Sequence, residues 1–417
     1  MVARWGGEWG LSSHGSQESF VMLSETKHLA AHRVRCFALL RMTSRGLVAI
    51  LKGYKVKTMR AAVCYEPGKP LIIEDIDIDP PQSGEVKVRL VATAICHSDI
   101  HALHGDWNGK FPVVVGHEAA GIVEEVGENV SLTAPGENVV VSLLRSCGRC
   151  FYCMQGLSNL CNGTFALETE SRLRNKQGDL IYQGIRTAAF AEYVIVDQSQ
   201  VVQVPQTIPL EKAALLACGV ITGVGAVVNT GRVKPGSSVV VIGLGGVGLN
   251  AVQGAVLAGA STIIAMDILD MKLATAKMFG ATHTLNAKRE DTRRVIRGFT
   301  GGLGADYVFV TVGSTTAVSQ GITLLRRAGT LVIVGMPPSG ATAPLPVVDI
   351  ADKGLKILGS FLGSTRLRVD VPWLVELYQQ GRLKLDELIT ARYSLEQINE
   401  AIELTERGEA IRNVIIW

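Results

Sequence analysis

The amino-acid sequence predicts an α/β protein in which a doubly wound parallel sheet is joined to a mainly-β part. Three observations predict this fold class. Short β-runs separated by Gly, Pro and Asn fill the chain up to about residue 219, strand and helix patterns alternate from about 220 to 357, and a glycine-rich loop interrupts that alternation at 243–248. Regular alternation of strands and helices is typical of a parallel sheet with helices on both faces.

The composition fits two globular domains. The chain has 417 residues, of which 47% are hydrophobic and 19% are charged, so each domain has enough chain to bury a core. The formal charge of +3 is unevenly placed, because residues 1–58 carry nine Lys and Arg against three Glu. Without that segment the totals of 41 basic and 38 acidic residues become 32 and 35. We therefore expect no nucleic-acid partner.

Residues 1–58 differ from the rest of the chain. They are basic and show no sustained helical or strand period. At Met59 an alternating strand pattern begins abruptly. We expect residues 1–58 to be an extension that the folded protein does not need, arising from an upstream start codon. A transit peptide is the alternative, since the segment contains Arg and Ser.

Residues 59–219 are expected to form a mainly-β domain, with strands at 86–91, 121–126, 139–143 and 191–196. Residues 220–357 are expected to form the parallel sheet. Its strands are predicted at 239–242, 262–267, 307–312 and 331–334, with helices at 249–258 and 271–278. Residues 358–417 add helices at 372–380 and 395–407 and a final strand at 413–417.

Two cysteine-containing sets have metal-ligand spacing. The first is C-x2-C-x2-C-x7-C, formed by Cys147, Cys150, Cys153 and Cys161. Four thiolates in one short loop are typical of a closed, structural zinc site. An iron–sulfur cluster is the rival, but its motif continues with x3-C-P, whereas here the fourth cysteine follows after seven residues and precedes Asn162.

The second set is Cys96, His117 and Cys218. A single apolar cysteine or histidine is more often a core residue, so only the joint pattern indicates a metal. Two thiolates and one imidazole leave the fourth position of a zinc ion open, which catalysis needs. Asp99 and Glu118 lie close in sequence and are candidate partners for these ligands, and Asp99 is expected to fix the tautomer of His117.

The glycine-rich loop has the context of a dinucleotide site. Gly243-x-Gly245-x-x-Gly248 follows an apolar strand and opens a helix, and Asp267 ends the next strand. Such glycines let a pyrophosphate approach the helix N-terminus, and the carboxylate binds the ribose hydroxyls. The 2′-phosphate of NADP would be repelled there, so NAD is expected. The predicted loop contacts are Gly243, Gly245, Gly246, Val247 and Gly248.

No membrane span is expected. Residues 213–228 are apolar but too short, and residues 239–266 are broken by the glycine loop. Six of the eight cysteines belong to the two metal sets, leaving Cys36 and Cys64. This usage favours a reducing cytoplasm over a disulfide-forming compartment.

From Met59 to Trp417 the chain resembles the medium-chain, zinc-containing alcohol dehydrogenases. The matching segments are CHSDIH, GHEAAGIVEEVG, CGRCFYCMQGLSNLC, ACGVITG, VIGLGGVG, DILDMK, VGMPP and IRNVIIW. The resemblance implies a GroES-like catalytic domain, split in sequence, with a Rossmann domain between its parts. It also implies two zinc ions per chain, one catalytic and one structural, and reversible oxidation of an alcohol to an aldehyde or ketone with NAD.

The resemblance also implies individual roles. Ser98 and His101 match residues that relay the substrate proton through the cofactor ribose. Asp267 and Lys272 match residues that hold the adenosine ribose, and Arg412 matches one that reaches the pyrophosphate. His97 stands where many relatives have Arg, so it is a candidate phosphate contact. A homo-oligomer is expected.

Two other functions compete with this one. The first is an S-(hydroxymethyl)glutathione dehydrogenase; that subgroup usually has an acidic pair in the segment that reads GDWNGKF here, and only Asp106 is present. The second is a non-enzymatic zinc and nucleotide-binding protein, which the complete Ser98–His101 pair disfavours. Leu143 aligns with a pocket aromatic of several relatives, which predicts a wider substrate site.

Overall fold

The computed structural model describes residues 56–417, so most of the expected extension at 1–58 lies outside the described residues. The first strand already begins at Lys57. The strands of the described part are β1 Lys57–Val63, β2 Ile72–Ile78, β3 Glu85–Ala94, β4 Val113–Val114, β5 Glu118–Val126, β6 Asn138–Ser142, β7 Leu173–Arg174, β8 Leu180–Gln183, β9 Tyr193–Asp197, β10 Val201–Gln203, β11 Ser238–Ile242, β12 Thr262–Asp267, β13 His283–Asn286, β14 Ala305–Val310, β15 Leu325–Ile333, β16 Lys356–Gly359, β17 Ile389–Tyr393 and β18 Arg412–Ile416.

Within residues 56–417, eleven α-helices connect these strands, together with short 3-10 turns and a π-helical turn at Ala226–Gly231. They are α1 His97–His104, α2 Phe151–Met154, α3 Leu210–Ala213, α4 Gly219–Gly225, α5 Gly246–Leu257, α6 Asp270–Met278, α7 Thr292–Phe299, α8 Thr315–Thr323, α9 Val347–Lys353, α10 Leu367–Gln379 and α11 Ile398–Glu406.

The parallel sheet has the order β13-β12-β11-β14-β15-β16. All five pairings in it are parallel. The chain therefore starts in the middle of the sheet at β11, builds outward to β13, and crosses back to β14. Ligands bind where the strand order reverses, beyond the carboxyl ends of the strands. The loop after β11 lies at that reversal, and the expected doubly wound sheet is confirmed.

The mainly-β part contains two sheets. One has the order β1-β2-β7-β8-β4, and the other has the order β10-β6-β5-β3-β18-β17 with β9 paired to β3. Strand β18 is the last strand of the chain, yet it pairs with β3 from the beginning of the described residues. This pairing returns the C-terminal segment to the mainly-β part and places Arg412 beside residues near position 118.

The buried core joins the two parts. One hydrophobic cluster contains Cys96 and Cys218 together with residues of β11 and α5, so the predicted ligands sit where the mainly-β part packs on the parallel sheet. No single helix within residues 56–417 is long and apolar enough to cross a membrane; one pair bent by 51°, Leu210–Ala217 with Gly219–Gly231, passes by length and composition. Most of this pair is buried in the core.

Candidate functional site

Three elements bring Cys96, His117 and Cys218 together. Cys96 is the residue before α1, His117 precedes β5, and Cys218 precedes α4. One ligand atom from each lies within 4.8 Å of the other two, and all three side chains are buried. The sulfur and nitrogen atoms are therefore close enough to share one metal ion, although Cys96 and Cys218 lie 122 positions apart in sequence.

Asp99 organises this cluster. Its Oδ1 lies 2.9 Å from His117 Nδ1 and accepts a hydrogen bond of 2.9 Å from the Gly116 N–H. Its Oδ2 accepts from the Cys96 N–H at 3.1 Å. One carboxylate thus holds both the Cys96 segment and the Gly116–His117 segment. The other ring nitrogen of His117, Nε2, points away from Asp99. A metal-bound imidazole needs this arrangement.

The donor set fits a zinc ion. His117 Nε2 is buried and has no hydrogen-bond partner among the described residues, although buried polar atoms are normally satisfied. A metal ligated at Nε2 would satisfy it. A hydrogen bond with Cys218 lowers the pKa of the Cys96 thiol, and the thiolate is the form that binds metal. The same interaction raises the pKa of Cys218.

Glu118 contacts different groups from Asp99. Its Oε1 accepts from the Gly219 N–H at 3.1 Å and lies 3.3 Å from Arg412 Nε. Burial raises the pKa of Glu118 to about 7, against the opposing effect of Arg412. The carboxylate therefore holds the backbone next to Cys218 and the guanidinium, rather than the imidazole.

The four-cysteine loop forms a second cluster. The ligand atoms of Cys147, Cys150, Cys153 and Cys161 lie within 4.8 Å of one another and are half-buried. The Cys153 N–H lowers the pKa of Cys150 to about 6, while burial and neighbouring thiols raise the pKa of Cys153 to about 12. Four crowded thiols cannot all ionise without a cation, so the donor set suits a divalent metal. All seven cysteines in residues 56–417 are free.

The glycine loop is open at the start of α5. A Cβ placed on Gly245 would meet no atom within 4 Å, which leaves room for a ligand at the helix N-terminus. A Cβ on Gly246 would collide with the Arg412 guanidinium, so the buried Arg412 lies against this helix end. Its Nη2 has no hydrogen-bond partner in the described part. Val247 is half-buried in the first turn.

Asp267 lies across from the glycine loop. Its Oδ2 accepts from the Leu244 N–H at 2.7 Å, and its Oδ1 accepts from the Ile268 N–H at 2.7 Å. The carboxylate is thereby fixed at the carboxyl end of β12, where a ribose is expected. Lys272 is half-buried in α6. Lost hydration and the positive charges of Arg412 and Lys272 lower the pKa of His97.

The relay candidates lie on α1. Ser98 is half-buried at its second position. His101 Nδ1 lies 2.6 Å from Asp106 Oδ2, and the Trp107 ring lies 5.2 Å from the imidazole, centroid to centroid. Asp106 and Trp107 were not predicted to contact His101. The available signal was weak: both follow Gly105, which ends α1 with a left-handed φ of 78° and folds the chain back.

A second unforeseen contact lies at the start of α6, beyond the carboxyl end of β12. Arg289 Nη1 is 2.8 Å from Asp270 Oδ2, so Asp270 is partly neutralised by a residue nineteen positions later in the sequence. The hydroxyl of Thr222, in α4, is buried without a hydrogen-bond partner among the described residues. No sequence motif indicated the contact between Arg289 and Asp270 or the unsatisfied hydroxyl of Thr222.

Comparison with known proteins agrees with this geometry. The model of the alcohol dehydrogenase GroES-like domain matches residues 82–206, and that of the zinc-binding dehydrogenase family matches 246–380. The chain is 41% identical over 376 residues to alcohol dehydrogenase class-3 of Pisum sativum, covering 87% of this chain and 98% of the relative.

Two solved structures are also similar. An alcohol dehydrogenase zinc-binding domain protein from Burkholderia ambifaria has a TM-score of 0.83 at 37% identity, covering 87% of this chain and 99% of that one. Benzyl alcohol dehydrogenase from Acinetobacter calcoaceticus has a TM-score of 0.81 at 34% identity, covering 86% and 99%.

Proposed function

Because this chain belongs to the zinc-dependent, medium-chain alcohol dehydrogenase family, we propose that it oxidises a small alcohol to an aldehyde or ketone and transfers the hydride to NAD. The observation that carries this proposal is the buried cluster of Cys96, His117 and Cys218, which lies where the mainly-β part packs against the nucleotide-binding sheet. The zinc requirement and the nicotinamide cofactor are shared with the family.

In this proposal, Cys96, His117 and Cys218 hold the catalytic zinc, and the four-cysteine loop holds the structural one. When bound, the catalytic zinc supplies Lewis acidity to the alcohol oxygen, and the nicotinamide accepts the hydride. Asp99 holds His117 through Nδ1, so Nε2 would be the nitrogen that binds the metal. Arg412 and the first turn of α5 supply positive charge for a pyrophosphate.

The proton leaves through side chains of α1. Ser98 would accept it from the alcohol, and His101 would receive it further out, since both residues lie on α1. The imidazole is suited to this step because one ring nitrogen can accept a proton while the other donates one. Asp106 holds the imidazole through Nδ1, which leaves Nε2 as the nitrogen that takes the proton.

The contact between His101 and Asp106 also argues against the glutathione adduct of formaldehyde as the substrate. Asp106 is the one acidic side chain in the segment GDWNGKF, and its carboxylate already pairs with His101. Its Oδ2 is therefore engaged, which leaves less of this carboxylate for an ammonium group of a glutathione conjugate. We favour primary or aryl alcohols, because a leucine at position 143 in place of an aromatic residue would leave more room for the substrate.

Further parts of the proposal concern partners and setting. We propose NAD over NADP because of Asp267, a homo-oligomer, and a cytoplasmic location in which the metal thiolates stay reduced. The mildly acidic body supports the absence of a nucleic-acid partner, and we propose no membrane partner either.

A substrate panel tests this function. The full chain loaded with zinc is mixed with NAD and short, branched and aryl alcohols, with and without glutathione and formaldehyde, and NADH absorbance is followed. We expect turnover with at least one simple alcohol and no requirement for glutathione. Turnover only when glutathione is present would favour the glutathione-dependent activity, and no turnover despite metal and NAD binding would favour a non-enzymatic role.

A further inference from the structure

The turn that follows α1 touches two parts of the molecule at once. On one side the Asp106 carboxylate and the Trp107 ring both contact the imidazole of His101. On the other side the same two residues reach a loop that belongs to the parallel-sheet part. The Trp107 Nε1–H donates to the Pro337 carbonyl at 3.3 Å, and the Ser339 N–H donates to the Asp106 carbonyl at 3.1 Å.

The loop they reach lies at the cofactor edge of the sheet. Residues 335–346, here called the cofactor-side loop, connect β15 to α9. The Gly335 N–H donates to the Val310 carbonyl at the end of β14 at 3.0 Å. The carboxyl ends of β14 and β15 belong to the same edge as the glycine loop, and ligands bind along this edge.

From these four contacts we propose that Asp106 and Trp107 form an interdomain clasp, which positions His101 and slows the release of the nicotinamide cofactor. The clasp rests on the proposed function, since it assigns His101 to the proton relay. Its two halves separate cleanly. The cofactor-side loop is bound by the Trp107 Nε1–H and the backbone carbonyl of Asp106. His101 is contacted by the Asp106 carboxylate and the Trp107 ring.

The physical consequence is a link between cofactor retention and the relay. A cofactor bound along this edge would leave by opening of the cleft between the two parts, and that opening would break the two hydrogen bonds of the clasp. Lid or domain opening often limits turnover in enzymes of this kind. The same opening would withdraw the turn from His101, so the relay would be fully positioned only while the cofactor is enclosed.

Two substitutions test the two halves separately. Trp107→Phe keeps an aromatic ring beside His101 and removes the N–H that binds Pro337. We expect NADH dissociation, followed by stopped-flow fluorescence, to become about 2- to 10-fold faster, as the loss of one neutral hydrogen bond predicts. The single-turnover rate, measured in parallel, should fall by less than it does in Asp106→Asn, because the Phe ring keeps part of the contact with His101. Trp373→Phe, in α10 and away from the turn, is the matched control and should leave both rates unchanged.

Asp106→Asn keeps the carbonyl that binds Ser339 and removes the carboxylate that pairs with His101. We expect a slower single turnover with an unchanged rate of NADH dissociation. A turn that was merely disordered would change both rates, so this split identifies a positioning role. Equal NADH dissociation rates in Trp107→Phe, Trp373→Phe and the unmodified chain would overturn the clasp. Because dissociation is measured without alcohol, a chain that binds NADH but oxidises no alcohol rejects the function while still testing the clasp.

Discussion

Cys96 and Cys150 are both proposed zinc ligands, but substituting them should have different effects because their surroundings differ. Cys96 is buried in a three-residue set that leaves one metal position open, whereas Cys150 belongs to a closed set of four thiols. An open site contributes mainly to chemistry, and a closed site contributes folding free energy directly. We expect Cys96→Ala to abolish turnover while the chain remains folded, and Cys150→Ala to lower the melting temperature or the yield of folded protein.

Metal analysis of the same variants makes the test quantitative. The unmodified chain should bind close to two zinc ions per chain, and each variant should lose about one. Normal alcohol oxidation by Cys96→Ala would contradict the assignment of the catalytic ligands. An unchanged melting temperature of Cys150→Ala would show that the four-cysteine loop does not stabilise the fold.

Asp267 carries the expected preference for NAD. Backbone N–H groups of Leu244 and Ile268 fix its carboxylate, so it cannot easily turn away from a 2′-phosphate, and like charges repel. We expect kcat/KM with NAD to exceed that with NADP at least about tenfold, a difference of only about 1.4 kcal/mol. Asp267→Ser should reduce this difference in kcat/KM, mainly by weakening the binding of NAD. Equal use of both cofactors by the unmodified chain would contradict a contact between Asp267 and the ribose.

At the scale of elements, α5 shows why two glycines of one motif are not equivalent. A Cβ on Gly248 would collide with the Gly243 carbonyl, whereas a Cβ on Gly245 meets open space. We expect Gly248→Ala to destabilise the fold by about 1–3 kcal/mol, as overpacking does. Gly245→Ala should fold normally and bind NADH more weakly, because the new methyl group enters the pyrophosphate space. Chemical unfolding and NADH titration of both variants separate the effects, and a destabilised Gly245→Ala would contradict this account.

The elements also show how far the sequence could predict the molecule. Strand β12 was predicted with the bounds that the structure has, because a buried parallel strand is a continuous apolar run. The two cysteine sets were predictable because ligand type and spacing are constrained by the metal. The contact of Asp106 with His101 was not, since it depends on the left-handed turn at Gly105, and the contact of Arg289 with Asp270 joins two elements distant in sequence.

At the scale of the whole molecule, the described core is built from residues at and after Met59. Strand β1, however, begins at Lys57, whose Nζ lies 2.8 Å from Glu124 Oε1, and Thr58 pairs with Asp77 in β2. Such exposed contacts contribute about 0–1 kcal/mol each. We therefore propose that residues 1–55 are dispensable, and that the two residues before Met59 add a small amount of stability.

Two shortened chains test this proposal, one beginning at Val56 and one at Met59. The first should match the full chain in melting temperature and in alcohol oxidation. The second should keep its activity. Its melting temperature should fall by only a few degrees, which corresponds to a loss of about 1 kcal/mol in the free energy of unfolding. The chain that begins at Met59 also has a formal charge of −3, whereas the full chain has +3. It should therefore bind an anion exchanger at neutral pH. Failure of the chain beginning at Val56 to fold would show that the basic segment contributes to the native structure after all.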